Sequence, residues 1–92
     1  MYSRYFAAGR LRVTRIVNLA LEQGVELFHD QDDNSFMYVP VSGHHELHSL
    51  RSRRGRMWLA GRYFEETGKA AGAQAQADAI NVLEAYAFRA RS

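Results

Sequence analysis

Val25-Glu-Leu-Phe-His-Asp30-Gln-Asp-Asp-Asn-Ser35-Phe-Met-Tyr-Val-Pro40-Val-Ser-Gly-His-His45-Glu-Leu-His-Ser-Leu50 is the stretch that decides the fold. Val25 to His29 alternates in the manner of a short strand. Asp30 to Ser35 is a turn, because Asp and Asn side chains hydrogen-bond their own backbone. Phe36 to Val41, rich in aromatic and β-branched residues, is a second strand. Pro40 has no N–H to give to a ladder, so it belongs at an edge or near a strand end. Ser42-Gly43 makes another turn and His44 to Leu50 a third strand. Three strands joined by short turns form an antiparallel meander.

The flanks read as helices. Upstream, Ser3 caps a helix that runs to about Gln23 and stops at Gly24. At 100° per residue it gathers Phe6, Val13, Ile16, Val17 and Ala20 on one face. Arg4, Arg15, Asn18 and Glu22 fall opposite, with Arg12 on the flank. Downstream, Ser52 caps a helix ending near Thr67 at Gly68, with an apolar arc of Met57, Leu59, Ala60, Tyr63 and Phe64. A last helix, Ala73 to Arg89, groups Ala79, Ile80, Leu83, Tyr86 and Ala87, with Gln74, Asp78 and Asn81 opposite. The sequence therefore predicts one α+β domain: an N-terminal helix (1–24), a three-stranded antiparallel meander (25–50) and two C-terminal helices (51–92).

Composition agrees. In 92 residues, 47% are hydrophobic and 12% aromatic, enough for one modest core. The absence of cysteine excludes disulfides and thiolate metal sites. The start has no secretory-type apolar core, and no run approaches the length of a membrane span. The expectation is a soluble, cytoplasmic protein with no membrane partner.

Charge is segregated along the chain although the net value is only +2. Four arginines and no acid lie in residues 1–21, and six acids with no Lys or Arg lie in 22–50. Five arginines then fall in Arg51-Ser-Arg-Arg-Gly-Arg56-Met-Trp-Leu-Ala-Gly-Arg62, with no carboxylate among them. Eleven of the twelve basic residues are arginine, the side chain suited to bidentate phosphate or carboxylate contacts. On a helix Arg51, Arg54, Trp58 and Arg62 share an outer face, while Arg53 and Arg56 sit at its start on the apolar side. Trp58 between Arg54 and Arg62 at i±4 is a cation–π arrangement, suited to stacking a base if exposed and to packing under a neighbouring helix if not. The candidate binding residues are Arg51, Arg53, Arg54, Arg56, Arg62 and Trp58, with Arg4, Arg12 and Arg15 of the first helix extending the basic surface.

Other motifs are weaker. Asp30-x-Asp32-x-Asn34 imitates half a calcium loop, but Ser35 and Val41 stand where glycine and the closing glutamate belong, which favours a hairpin turn. His44, Glu46 and His48 share one strand face and His45 the other; without His-Glu-x-x-His spacing or a fourth ligand, surface histidines are the expectation. No nucleophile elbow or Gly-rich phosphate loop is present. The chain is expected to be no enzyme, with no cofactor and no metal.

Residues Val25 to Ala87 also resemble a segment of phage and plasmid replication proteins of primase–helicase type, which there precedes the ATPase motor. The likeness rests on Glu26-Leu-Phe-His-Asp30, Val39-Pro-Val41, Gly43-His44 with Glu46, Leu50-Arg-Ser-Arg53, Trp58-Leu-Ala60, Arg62-Tyr63, Glu65-Glu-Thr-Gly-Lys-Ala70, Ala73-Gln74, Asp78-Ala79 and Leu83-Glu-Ala85. Gly55 replaces an expected aromatic, Ala71 a proline, and His45 and His48 an arginine and a tryptophan. No Walker motif or primase site is present. The resemblance implies replication-related ancestry and association with nucleic acid, without ATPase or primase activity. It leaves three uses: a module that grips nucleic-acid phosphates, an anti-CRISPR-like phage inhibitor docking on a host protein–RNA or protein–DNA complex, and a dimerisation module using the alanine-rich last helix.

Overall fold

The computed structural model describes the backbone of residues 4–89 and the side chains of residues 11–89. Its elements follow the expected order: α1 (Arg4–Glu22), β1 (Glu26–His29), β2 (Ser35–Val41), β3 (His44–Ser49), α2 (Arg53–Thr67) and α3 (Ala73–Arg89). The expected cap at Ser3 and the side chains of Arg4 and Phe6 lie outside the described residues.

The sheet is antiparallel with order β1-β2-β3. His29 pairs with Ser35 across the first turn, and Val41 with His44 across the second. Asp30 builds the first turn: its Oδ1 accepts from the backbone N–H groups of Asp32 and Asn34, each at 2.9 Å. That is the hairpin reading of the aspartate run. Pairing with β1 ends at Tyr38, so Pro40 lies where the central strand has only β3 as a neighbour and its missing N–H breaks no ladder on the β1 side.

Alternation assigns the two sheet faces. Met37 and Val39 are fully buried beneath the helices, and across the register His48 and Glu46 lie on their side. Phe36 and Tyr38 face the other way, where Phe28 stacks on Phe36 and Tyr38 on His45. α3 packs against α1, β1 and β2, while α2 leans on α1 and β3 and touches α3 only lightly. The core thus joins Ile16, Leu19 and Ala20 of α1 to Leu59 and Tyr63 of α2 and Ala79, Ile80 and Leu83 of α3. Leu19, which the expected α1 stripe omits, is one of its most buried residues.

The expected apolar arc of α2 needs correction. Gly55, Leu59 and Tyr63 are buried, but Met57 and Phe64 are 59% and 60% exposed and Ala60 is also exposed. Gly55 is the reason. A Cβ there would collide with the Ser49 carbonyl oxygen and press on that of Leu50, so only glycine lets α2 pass this close over the turn it leaves. That approach rotates the helix so that Met57 and Phe64 point away from the core. On α3, Tyr86 is likewise exposed, and Ala75 completes the buried stripe.

Candidate functional site

The arginine-rich stretch begins at a rigid junction. Leu50 is fully buried, and its N–H donates to the Ser35 carbonyl, which pins the end of β3 to the start of β2. Ser52 caps α2 through its Oγ, which accepts from the Gly55 N–H at 3.0 Å. Gly68, in the left-handed region at φ 72°, closes the helix by donating to the Phe64 carbonyl.

The five arginines then separate into two groups. Arg51 forms a forked pair with Glu84 of α3, Nε to Oε2 at 2.9 Å and Nη2 to Oε1 at 2.7 Å, and also donates to Asn81 Oδ1. Glu84 accepts the buried Ser35 hydroxyl at 2.9 Å as well. The Arg51 hydrogen bonds, helped by that of Ser35 and opposed by burial, hold the Glu84 carboxyl below its ordinary range, and Glu84 in turn raises Arg51. Arg62 is 20% exposed and pairs along its own helix with Glu65 at 3.1 Å and Glu66 at 3.4 Å. Its Nε is buried with no acceptor among the described residues. Arg15 of α1 reaches the same Glu66 at 3.9 Å. Arg51, Arg62 and Arg15 are therefore neutralised within the chain, contrary to an outer face of uncompensated charge.

Trp58 takes the packed of the two arrangements expected for it. It is half-buried and packs against the core, because it flanks the face that carries Leu59 and Tyr63. The rest of its surface lines a hollow that Arg53 and Arg54 also border.

Arg53, Arg54 and Arg56 remain exposed, and none has a carboxylate partner among the described residues. All three lie in or beside the first turn of α2, where the free N–H groups already carry partial positive charge. Arg56 is fixed by donating from Nη1 to the Arg51 carbonyl at 2.9 Å, and its own carbonyl accepts from Gln76 Nε2 at 2.7 Å. The Gln76 Oε1 is buried without a donor among the described residues. Arg53 and Arg54 border a hollow of about 560 Å³ shared with Glu46, His48, Met57 and Trp58. Arg12 is exposed on α1.

Both His44 and His48 bond the Glu46 carboxylate, at 3.3 and 3.2 Å, and of the two histidines only His48 lines the hollow. The bond from His44 is the chief cause that lowers the Glu46 carboxyl. His48 is 9% exposed and so is not a surface histidine; it lies on the helix-covered side of β3. Among the described residues no group of three His, Asp or Glu side chains is placed to hold a metal ion, and no helix is long and apolar enough to cross a membrane.

On the far side of α2 a groove of about 870 Å³ separates it from α3. Its apolar walls include Met57, Ala60 and Phe64 on one side and Ala73, Ala77 and Ile80 on the other, with Arg51, Arg53 and Arg56 at one end. Sequence periodicity missed this groove because it assigned Met57 and Phe64 to the core. It missed the partners of Arg51 because Asn81 and Glu84 lie 30 and 33 residues further on. Comparison with protein families, with curated proteins and with solved structures finds no match.

Proposed function

We propose that this chain is a non-enzymatic binding domain, of mobile-element and replication-related ancestry, that works in the cytoplasm and grips nucleic-acid phosphates through Arg53, Arg54 and Arg56. One observation carries the reading. These three arginines stand unpaired among the described residues at the positive end of α2, while Arg51, Arg62 and Arg15 are satisfied by carboxylates. Like charges at a helix N-terminus repel one another and oppose the helix dipole, and an anion relieves both. Arginine forks suit phosphate oxygens, and such contacts give affinity without base readout. The likeness of residues 25–87 to replication proteins supports the same class of ligand.

The second reading is an inhibitor that docks on a host nucleoprotein complex. The apolar groove beside the same arginines favours it, since bare nucleic acid needs no such surface. A dimerisation module is less favoured, because Ala75, Ala79 and Ala87 of α3 are already buried inside the chain.

The test is the salt dependence of binding to fluorescent single-stranded and duplex oligonucleotides. Three phosphate contacts correspond to a slope of roughly −2 to −3 in log K against log salt. Replacing Arg53, Arg54 and Arg56 together by alanine should remove that slope and leave the domain folded. If the triple variant binds normally, the reading is wrong.

A further inference from the structure

We propose that the groove between α2 and α3 binds an acidic amphipathic helix of a partner protein. The proposal goes beyond the phosphate reading: it shares Arg53 and Arg56 with that reading and adds the apolar side chains of the groove. Met57 and Phe64, 59% and 60% exposed, are two large apolar side chains at its wall that nothing among the described residues covers. The rest of the lining is mostly small: Ala60 and Gly61 on α2, Ala70, Ala71 and Gly72 in the connection, Ala73 and Ala77 on α3. Small residues on a groove floor let an incoming backbone lie close, with the partner's larger side chains filling the space between the walls.

Three physical arguments select the occupant. A helix satisfies its own backbone hydrogen bonds, so it can lie on an apolar floor between two helices. A strand would leave its N–H and C=O groups unpaired there, because α2 and α3 have no free edge to offer. The charge is complementary at one end only: Arg53 and Arg56 have no carboxylate partner among the described residues, and Arg56 is oriented by its bond to the Arg51 carbonyl. An occupant with carboxylates flanking its apolar stripe relieves that charge while the stripe covers Met57 and Phe64. A second copy of this chain is the competing occupant, and the oligomeric state in solution separates it from a partner helix. Nucleic acid fits poorly, because the walls beyond the arginine end are mostly aliphatic and Phe64 is the one aromatic in the lining.

The probe is a synthetic, fluorescein-labelled helical peptide of about 18 residues with leucines at i, i+3, i+4 and i+7 and glutamates on the flanks. Its controls are a twin with lysine for glutamate and a scrambled peptide of the same composition. The acidic peptide should bind with micromolar affinity and shift the amide resonances of Met57, Ala60, Phe64 and Ala77. The lysine twin, the scrambled peptide, the double variant Met57→Ser/Phe64→Ser and the variant Ala77→Glu should each weaken binding roughly ten-fold or more. Those three positions are exposed, so the fold tolerates the changes, and unchanged circular dichroism confirms it.

The proposal is overturned if the acidic peptide fails to bind at millimolar concentration or binds the double variant as well as the parent. Equal binding of the lysine twin also overturns it. So does sedimentation that shows a parent dimer dissociated by Met57→Ser/Phe64→Ser, which makes a second copy the occupant. An oligonucleotide that shifts the groove resonances and is lost in the double variant assigns the groove to nucleic acid instead. Oligonucleotide binding that survives in the double variant leaves the phosphate reading intact, so the two ideas fail separately.

Discussion

Replacing Gly55 and Gly61 one at a time by alanine should change stability in opposite directions, although both glycines lie in α2. At Gly61 an added Cβ meets nothing within 4 Å. Alanine there gains helix propensity and restricts the unfolded chain, which should stabilise the domain by about 0.5–1 kcal/mol. At Gly55 the added Cβ would overlap the Ser49 carbonyl oxygen and stand 3.3 Å from that of Leu50. These are backbone atoms of the β3–α2 junction and cannot swing aside. Relief requires α2 to move off the turn, which loosens the Ser52 cap and the burial of Leu59. Overpacking of this kind costs about 1–3 kcal/mol, and loss of the cap about 1 kcal/mol more. A net loss of about 2–4 kcal/mol for Gly55→Ala corresponds to a fall in Tm on the order of 10 °C or more for a domain of this size.

The assay is urea unfolding followed by far-ultraviolet circular dichroism and by the fluorescence of Trp58. Coincident curves from the two probes establish a two-state transition. A Gly55→Ala variant as stable as the parent would refute the reasoning. It would mean that α2 does not lie over the turn through Gly55, and the outward placing of Met57 and Phe64 would lose its support. A drop for Gly61→Ala equal to that for Gly55→Ala would say that both effects are generic to the helix.

Glu84→Gln should destabilise the domain at pH 7, by about 1 kcal/mol from the buried Ser35 hydroxyl alone, which loses its charged acceptor. Because the folded Glu84 carboxyl titrates below its ordinary 4.5, its contribution is present above that pH and lost as pH falls through the folded value. The difference between parent and variant in urea should therefore shrink on acidification; a gap independent of pH would show that the carboxylate charge is not involved. Asp30 should titrate below the ordinary aspartate value in an NMR titration, chiefly because the Asn34 N–H donates to it. Asp30→Ala should lower Tm by unravelling the β1–β2 turn, and an unchanged Tm would mean that strand pairing alone holds it.

Element order and most boundaries were legible because they depend on local chemistry. Ser52 caps α2 and Gly68 ends it at positive φ whatever the rest of the chain does. Asp30 and Asn34 close their turn through bonds within five residues. Strand alternation put His44, Glu46 and His48 on one side and His45 on the other, as the register with Val41, Val39 and Met37 bears out. The two faces of α2 were not legible. Met57, Trp58, Leu59, Ala60, Tyr63 and Phe64 surround the helix, so periodicity names no single buried side.

What the sequence by itself determined is the list of elements and the concentration of arginine where β3 meets α2. Only the tertiary structure decided which arginines are available to a partner. The steric demand at Gly55 turns α2 so that Leu59 and Tyr63 enter the core and Phe64 leaves it. The packing of α3 against the sheet then brings Glu84 within 2.7 Å of Arg51, and that of α1 against α2 brings Arg15 to Glu66. Pairings between residues 33 and 51 positions apart depend on helices meeting in space, and local pattern carries no record of them. Arg53, Arg54 and Arg56 keep their charge free because the fold brings no described carboxylate within ion-pair distance of them.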